Sequence, residues 1–202
     1  MESNYIVAYK NEWKKLKEKN LDKVAEILDV EYLEEKHQII VVFLYEEYIV
    51  DFKLEKIYKK NNGEVPSISA CIIILNYLTF SEKLIIPSTK WVSLKELPNG
   101  GALFYPAFHK SSIVNLINKF GFNSKDFIIS GNKIGCEIGD FGDRSIIFRV
   151  LPKISLCFVL WEGDEEIAPN ATILFESSIQ YILHIETIIG LGMFVCDKLI
   201  EM

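Results

Sequence analysis

The segment Trp161-Glu162-Gly163-Asp164-Glu165-Glu166 sets four carboxylates around one glycine, directly after the strand-like run Ile154 to Leu160. Carboxylates this close repel unless water, a cation, basic side chains or a partner offsets them, so the cluster belongs on a surface or in a site and not in a core. Two chemistries fit. Asp164, Glu165 and Glu166 can supply oxygen ligands to a hard cation such as Mg²⁺ or Ca²⁺, although their spacing is not that of an EF-hand loop. Alternatively, the segment is a solvated hairpin tip in which Gly163 takes a positive φ.

Other side chains could work beside it. Arg144 and Arg149 are the only arginines, and their planar forks suit an anionic ligand or ion pairs with the acidic turn. Tyr105 and Phe108 can floor a pocket in which His109 is a base or ligand. Equally, the two aromatics are core and His109 faces water. Asp143, after Gly142, reads as a turn residue or a site acid, and Trp161 completes the ligand-binding candidates. The irregular stretch Pro98 to Phe108 and the acidic turn are expected to share one cleft, since aromatic walls with a few charges are how small-molecule sites are built. No G-x-S-x-G elbow, G-x-x-x-x-G-K-[ST] phosphate loop or strand-linked G-x-G-x-x-G is present. The four cysteines, Cys71, Cys136, Cys157 and Cys196, contain no C-x-x-C pair, so no zinc or iron–sulphur motif is legible, and no disulfide is expected.

The elements that must position these groups follow from periodicity and punctuation. Helices are expected from about Asn4 to Lys19, over Asp22 to Leu28, from Ser67 to Leu78, from about Ala107 to Gly121, from Asn123 or Ser124 onward, and over Glu186 to Ile200. The last contains a weak point at Gly190-Leu191-Gly192. Strands are expected over Gln38 to Tyr45 and Tyr48 to Tyr58, joined through Glu46-Glu47, at Trp91, and over Ser145 to Val150 and Ile154 to Leu160. The continuously apolar Cys157 to Leu160 marks a central strand. Helices and strands are grouped and not strictly alternating, which predicts an α+β fold: one domain over residues 1–202, with an antiparallel or mixed sheet carrying helices.

Half of the 202 residues are hydrophobic and 25% are charged, as in ordinary globular chains. With 22 Lys plus Arg against 28 Asp plus Glu, the net charge of -6 disfavours a nucleic-acid partner, because counterion release needs a positive surface. The apolar run Ile188 to Cys196 is far shorter than the roughly 20 residues that span a bilayer. With no secretion signal at the start, a cytoplasmic protein that does not engage membrane is expected.

An ordered series of residues runs through the chain: Trp91, Leu97-Pro98-Asn99-Gly100-Gly101, Tyr105-Pro106-Ala107-Phe108, Phe120-Gly121, Gly142-Asp143, Leu151-Pro152, the Trp161 to Glu166 element, Leu174-Phe175-Glu176, and Tyr181-Ile182-Leu183. This series resembles the family called domain of unknown function 3786, found mostly in anaerobic bacteria and archaea. Glu176 stands where that pattern usually has Asp, and His184-Ile185 where a turn-forming pair is common. Some members carry an attached four-cysteine iron–sulphur module, so the resemblance implies a link to anaerobic metallocofactor metabolism. The residues and the resemblance together suggest a binding or accessory protein for a small anionic or metal-bearing ligand, of unknown cofactor. The competing readings are a hydrolase-like metal enzyme using the acidic turn with His109 as base, and a protein-interaction module.

Overall fold

The computed structural model describes residues 4–202 and contains two antiparallel sheets with helices packed on them. Helix α1 (Asn4–Lys17) and helix α2 (Leu21–Leu28) come first. Strands β1 (Glu31–Leu33), β2 (Gln38–Phe43), β3 (Glu46–Asp51) and β4 (Lys56–Lys59) then pair in sequence order. Helix α3 (Ile68–Phe80) follows, capped by Ser67, whose hydroxyl accepts the Ala70 N–H. Its run from Ala70 to Thr79 is buried but for partly exposed Ile72, as an all-round apolar helix requires.

The second sheet has the order β5-β9-β8-β7-β6, every neighbour antiparallel. Its strands are β5 (Trp91–Ser93), β6 (Glu137–Gly139), β7 (Arg144–Leu151), β8 (Ile154–Trp161) and β9 (Asn170–Glu176). The central position of β8 matches its unbroken apolar run, and Phe158 and Leu160 are fully buried. Helices α4 (Gly101–Phe108), α5 (Val114–Phe120), α6 (Ser124–Ile134) and α7 (Ile185–Glu201) complete the chain, with one wide turn, His109–Ile113, joining α4 to α5. The inner face of this sheet carries Ile146, Phe148, Leu156, Phe158, Ile173 and Phe175, all at most 1% exposed and facing the helices. One apolar cluster runs from Trp13 on α1 to Leu199 on α7.

The structure corrects four boundaries. The turn between β2 and β3 is Leu44-Tyr45, not Glu46-Glu47, and both residues sit at positive φ, 48° and 64°. Such a turn ordinarily selects Asn or Gly. Here tertiary contacts hold it: the Leu44 N–H donates to the Val150 carbonyl at 3.0 Å, and the Tyr45 ring lies close to Gly135. The expected strand Tyr48 to Tyr58 is two strands, because the buried Asp51 carboxylate accepts the Lys53 and Leu54 N–H groups at 2.9 Å each and turns the chain. Helix α4 starts at Gly101, not Ala107, where the carbonyl of Leu94 approaches too closely for any side chain, and so part of the expected irregular segment is helical. Finally, β9 was not foreseen, although Ala171, Ile173 and Phe175 alternate inward as a half-buried strand does.

Candidate functional site

The acidic turn is built into the fold. Glu162 crosses 38 positions of sequence to the start of α6, where its carboxylate accepts the Ser124 N–H at 2.9 Å and the Ser124 hydroxyl at 2.6 Å. These bonds from Ser124, with Arg144 and Lys125 nearby, hold Glu162 below its ordinary carboxylate value. Asn123 caps the same helix by accepting the Asp126 N–H, so the helix start has two acceptors. Gly163 donates its N–H to the Gly121 carbonyl at 2.9 Å, and a Cβ on it would stand 2.5 Å from Pro169 and 2.8 Å from Phe122. Gly163 is thus required for close approach and not, as the hairpin-tip reading expects, for a positive φ. Asp164 accepts the Glu166 and Ile167 N–H groups at 2.8 Å each, and these two bonds depress its pKa. Only Glu165 and Glu166 are left at the tip, both exposed. Among the described residues, no three His, Cys, Asp or Glu side chains stand close enough to hold a metal ion, so Asp164, Glu165 and Glu166 are not arranged as a metal centre.

Asp143 joins this turn: its carboxylate accepts the Glu162 N–H at 2.9 Å, and its own N–H donates to Leu160. Arg144 donates to the Asp143 carbonyl at 2.9 Å and lies in the field of Glu162. Among the described residues neither arginine forms an ion pair with Asp164, Glu165 or Glu166; Arg149 instead faces Glu176 at long range. Burial raises the Glu176 pKa, against the Ser155 N–H it accepts at 3.0 Å. Trp161 is partly exposed on the outer face of the sheet, where the β6–β7 connection folds back. Phe141 of that connection meets Trp91 edge-on at 6.5 Å, and Gly142 approaches Val159 and Trp161.

Tyr105, Phe108 and His109 lie elsewhere. Phe108 is buried against Gly192 of α7 and Phe175 of β9, so it is core. Tyr105 is half-buried under the Lys95 ammonium at 4.1 Å, with His109 at 5.7 Å. From Phe108 to Gly121 the chain is helical, which at a rise of about 1.5 Å per residue sets Phe108 roughly 20 Å from Gly121, where the acidic turn is held. Neither cavity beside α1 is bordered by Pro98 to Phe108 or by the acidic turn, so neither is the expected shared cleft, and among the described residues His109 does not join Asp143 and the acidic carboxylates in a cluster.

The concave surfaces instead flank the C-terminal end of α1. One cavity of about 380 Å³ is bordered by Lys17, Lys19, Asn20, Tyr32, His37 and Phe52, among others. His37 occupies the left-handed region at φ 57°, and its Nδ1 stands 3.0 Å from the Tyr32 hydroxyl. Its ring lies 4.9 Å from Phe52. Burial, with Asp22 and Glu34 adding, raises the Tyr32 pKa, so the phenol keeps its proton at neutral pH and shares one hydrogen bond with Nδ1, which leaves Nε2 for another partner. Asn20 caps α2 by accepting the Lys23 N–H at 2.9 Å. Lys17 and Lys19 pair with Glu55 and Glu82 at 2.5 and 3.2 Å, contacts on the surface that exchange readily. Sequence reading missed this group because His37 acquires its partners only through the β1–β2 turn and the second hairpin. The residue type alone carried the signal.

A family profile described as domain of unknown function DUF3786 matches residues 20–198. The chain belongs to this family. The match takes in both sheets and every helix after α1, so the DUF3786 region contains Tyr32, His37, Phe52 and the acidic turn, whereas Lys17 and Lys19 precede it. Within the DUF3786 region, Phe120-Gly121 and the Trp161 to Glu166 element, far apart in sequence, meet at the Gly163 to Gly121 hydrogen bond. Comparison with curated proteins and with solved structures returned no match. No described helix is long and apolar enough to cross a membrane.

Proposed function

We propose that this protein is a binding or accessory protein for a small anionic ligand, held in the cavity between the start of α2 and the β1–β2 turn. The observation that carries the reading is the combination in one concavity of an aromatic floor, Tyr32 and Phe52, with donors from His37, Lys17 and Lys19. A volume of about 380 Å³ lies in the range of small-ligand sites. The left-handed backbone of His37 fits this role, because such strain persists where the surroundings impose it and is often found at ligand sites. A cytoplasmic location and a place in anaerobic metallocofactor metabolism are further proposals, the second resting on the family resemblance alone.

The test uses phenyl phosphate, inorganic phosphate and benzylamine in thermal-shift and calorimetric titrations. A ligand at a hundredfold excess over Kd stabilises the folded state by about 2.7 kcal/mol. Phenyl phosphate is expected to stabilise the protein, and His37→Ala and Lys19→Glu are expected to remove the effect. No stabilisation by either anion, or stabilisation that survives both substitutions, overturns the reading.

A second reading, a protein-interaction module, is supported by Phe122 and Ile167, 69% and 65% exposed beside Glu165 and Glu166. Replacing both apolar residues by Ser would then abolish capture of a partner while leaving phenyl phosphate binding intact.

A further inference from the structure

On the other side of the α1 terminus, three polar side chains are withdrawn from solvent around one carboxylate. Glu12 of α1 and Asn76 and Thr79 of α3 are 8%, 6% and 5% exposed. The Thr79 hydroxyl donates to Glu12 Oε2 at 2.5 Å, and the Asn76 amide approaches the same oxygen at 3.5 Å. The other oxygen, Oε1, meets the Lys15 ammonium at 2.5 Å. Asn76 also accepts the His184 N–H at 3.2 Å, which fixes its amide orientation.

A buried carboxylate is poor evidence of stabilisation in itself, since desolvating the charge offsets much of what its partners return. What sets this one apart is the space bordered by its partners, behind which it lies. Lys15, Asn76 and Thr79, all partners of Glu12, line a cavity of about 540 Å³ whose remaining wall includes Lys19, Phe80 and Glu82. Lys15 reaches the carboxylate from the solvent side with a side chain 59% exposed, whereas the Glu12 side chain is 11% exposed. The interior anion is thus capped by one exposed surface ammonium. Helices α1 and α3 end here at Lys17 and Phe80, so their negative poles add to Glu12, Glu18 and Glu82. Lys19 is already paired with Glu82 at 3.2 Å. Phe80 offers a partly exposed ring beside the opening, a surface that attracts cations.

We propose that this cavity binds a small primary alkylammonium ion, whose N–H donors take the place of Lys15 on Glu12 while its alkyl chain lies along Phe80. An anion does not suit it: the lining acids Glu18 and Glu82 already match the two lysines in charge, and Glu12 behind Lys15 tips the balance to negative. The two cavities share Lys19 at their rims, but the amine site is built on Glu12 and Phe80, which do not border the aromatic pocket.

The probe is butylammonium chloride, titrated calorimetrically at ionic strength matched with sodium chloride, with butanol as the uncharged control. The wild-type protein binds butylammonium and not butanol. Lys15→Ala removes the resident competitor and tightens binding by about tenfold, the scale of one charge-assisted hydrogen bond. Glu12→Gln weakens it by at least about tenfold on the same scale. Should Glu12→Gln fail to fold by circular dichroism, Phe80→Leu and Glu82→Gln, at the rim, are each expected to weaken binding. Absence of butylammonium binding to both the wild-type and the folded Lys15→Ala protein overturns the proposal. So does binding that Lys15→Ala, Glu12→Gln and the rim substitutions leave unchanged, because the amine then sits elsewhere.

Discussion

Two glycines one residue apart in α7 should respond to the same substitution with opposite signs. A Cβ on Gly190 meets nothing within 4 Å, whereas one on Gly192 stands 2.9 and 3.0 Å from the Phe108 ring and 3.2 Å from Phe175. Both rings are at most 1% exposed, so neither can swing away into solvent. Replacing Gly by Ala inside a helix is worth about 0.8–1.0 kcal/mol of backbone entropy and propensity. Gly190→Ala keeps all of that gain and should raise Tm by about 2–4 °C for a chain of this size. Gly192→Ala gains the same amount but meets an overpacking cost of about 1–3 kcal/mol, for a net change from about zero to a loss of about 2 kcal/mol. Urea melts monitored by circular dichroism separate the two, provided the m-value stays constant. If Gly192→Ala proves as stabilising as Gly190→Ala, the close packing of Phe108 on α7 is wrong, and with it the assignment of Phe108 to the core.

Removing the Glu162 acceptor with Glu162→Ala should lower Tm at neutral pH, while Glu165→Gln at the exposed tip should leave it unchanged; equal responses in thermal melts would mean that the turn is not tied to α6. Because the folded-state pKa values of Glu162 and Asp164 are depressed, their contribution is present above the ordinary carboxylate range and is lost as pH falls through the folded values. Glu162→Gln should therefore flatten the acid limb of the stability profile, measured by melts across pH. Glu176 has the reverse sign: its pKa is raised, so its contribution is full below the ordinary value and disappears as pH rises through the folded one. Glu176→Gln, which keeps an acceptor for the Ser155 N–H, should stabilise the protein at neutral pH, and a drop in Tm there would refute the burial argument. Burial pushes the thiols of Cys71 up to about 11 and of Cys157 and Cys196 up to about 12, and all four cysteines are free. A thiol reagent should label Cys136 first in native protein and all four sites after denaturation without reductant; fast labelling of Cys157 would contradict its burial.

Most of the helices and the central strand are legible because their signals are local: the apolar run of α3 behind Ser67, the stop at Gly121, and the unbroken Cys157 to Leu160. What was not legible depends on partners distant in sequence. Leu44-Tyr45 makes a left-handed turn that no local rule selects, since Val150, Arg149 and Gly135 supply its support. Tyr48 to Tyr58 alternates like one strand, and the break comes from Asp51 capturing two N–H groups. The acidic turn drew attention through its charge, yet Glu162 serves a helix start 38 positions away, an acceptor role invisible from either end alone. His37 has no partner by sequence, and Glu12 reads only as part of an amphipathic helix, because their partners lie on other elements.

The margins of the two sheets carry a consequence for behaviour at high concentration. Strands β1, β5 and β6 have three residues each and β4 has four, and these four strands are the outermost in their sheets. A short border offers few unpaired N–H and C=O groups to a neighbouring molecule, and borders of this kind are how proteins resist edge-to-edge association into fibres. The long apolar strands β7, β8 and β9, which would be the hazardous templates, lie between those short borders. A chain half of whose residues are hydrophobic can therefore remain dispersed while folded. Aggregation should then require prior loss of β5 or β6, the thin margins that shield the strands behind them.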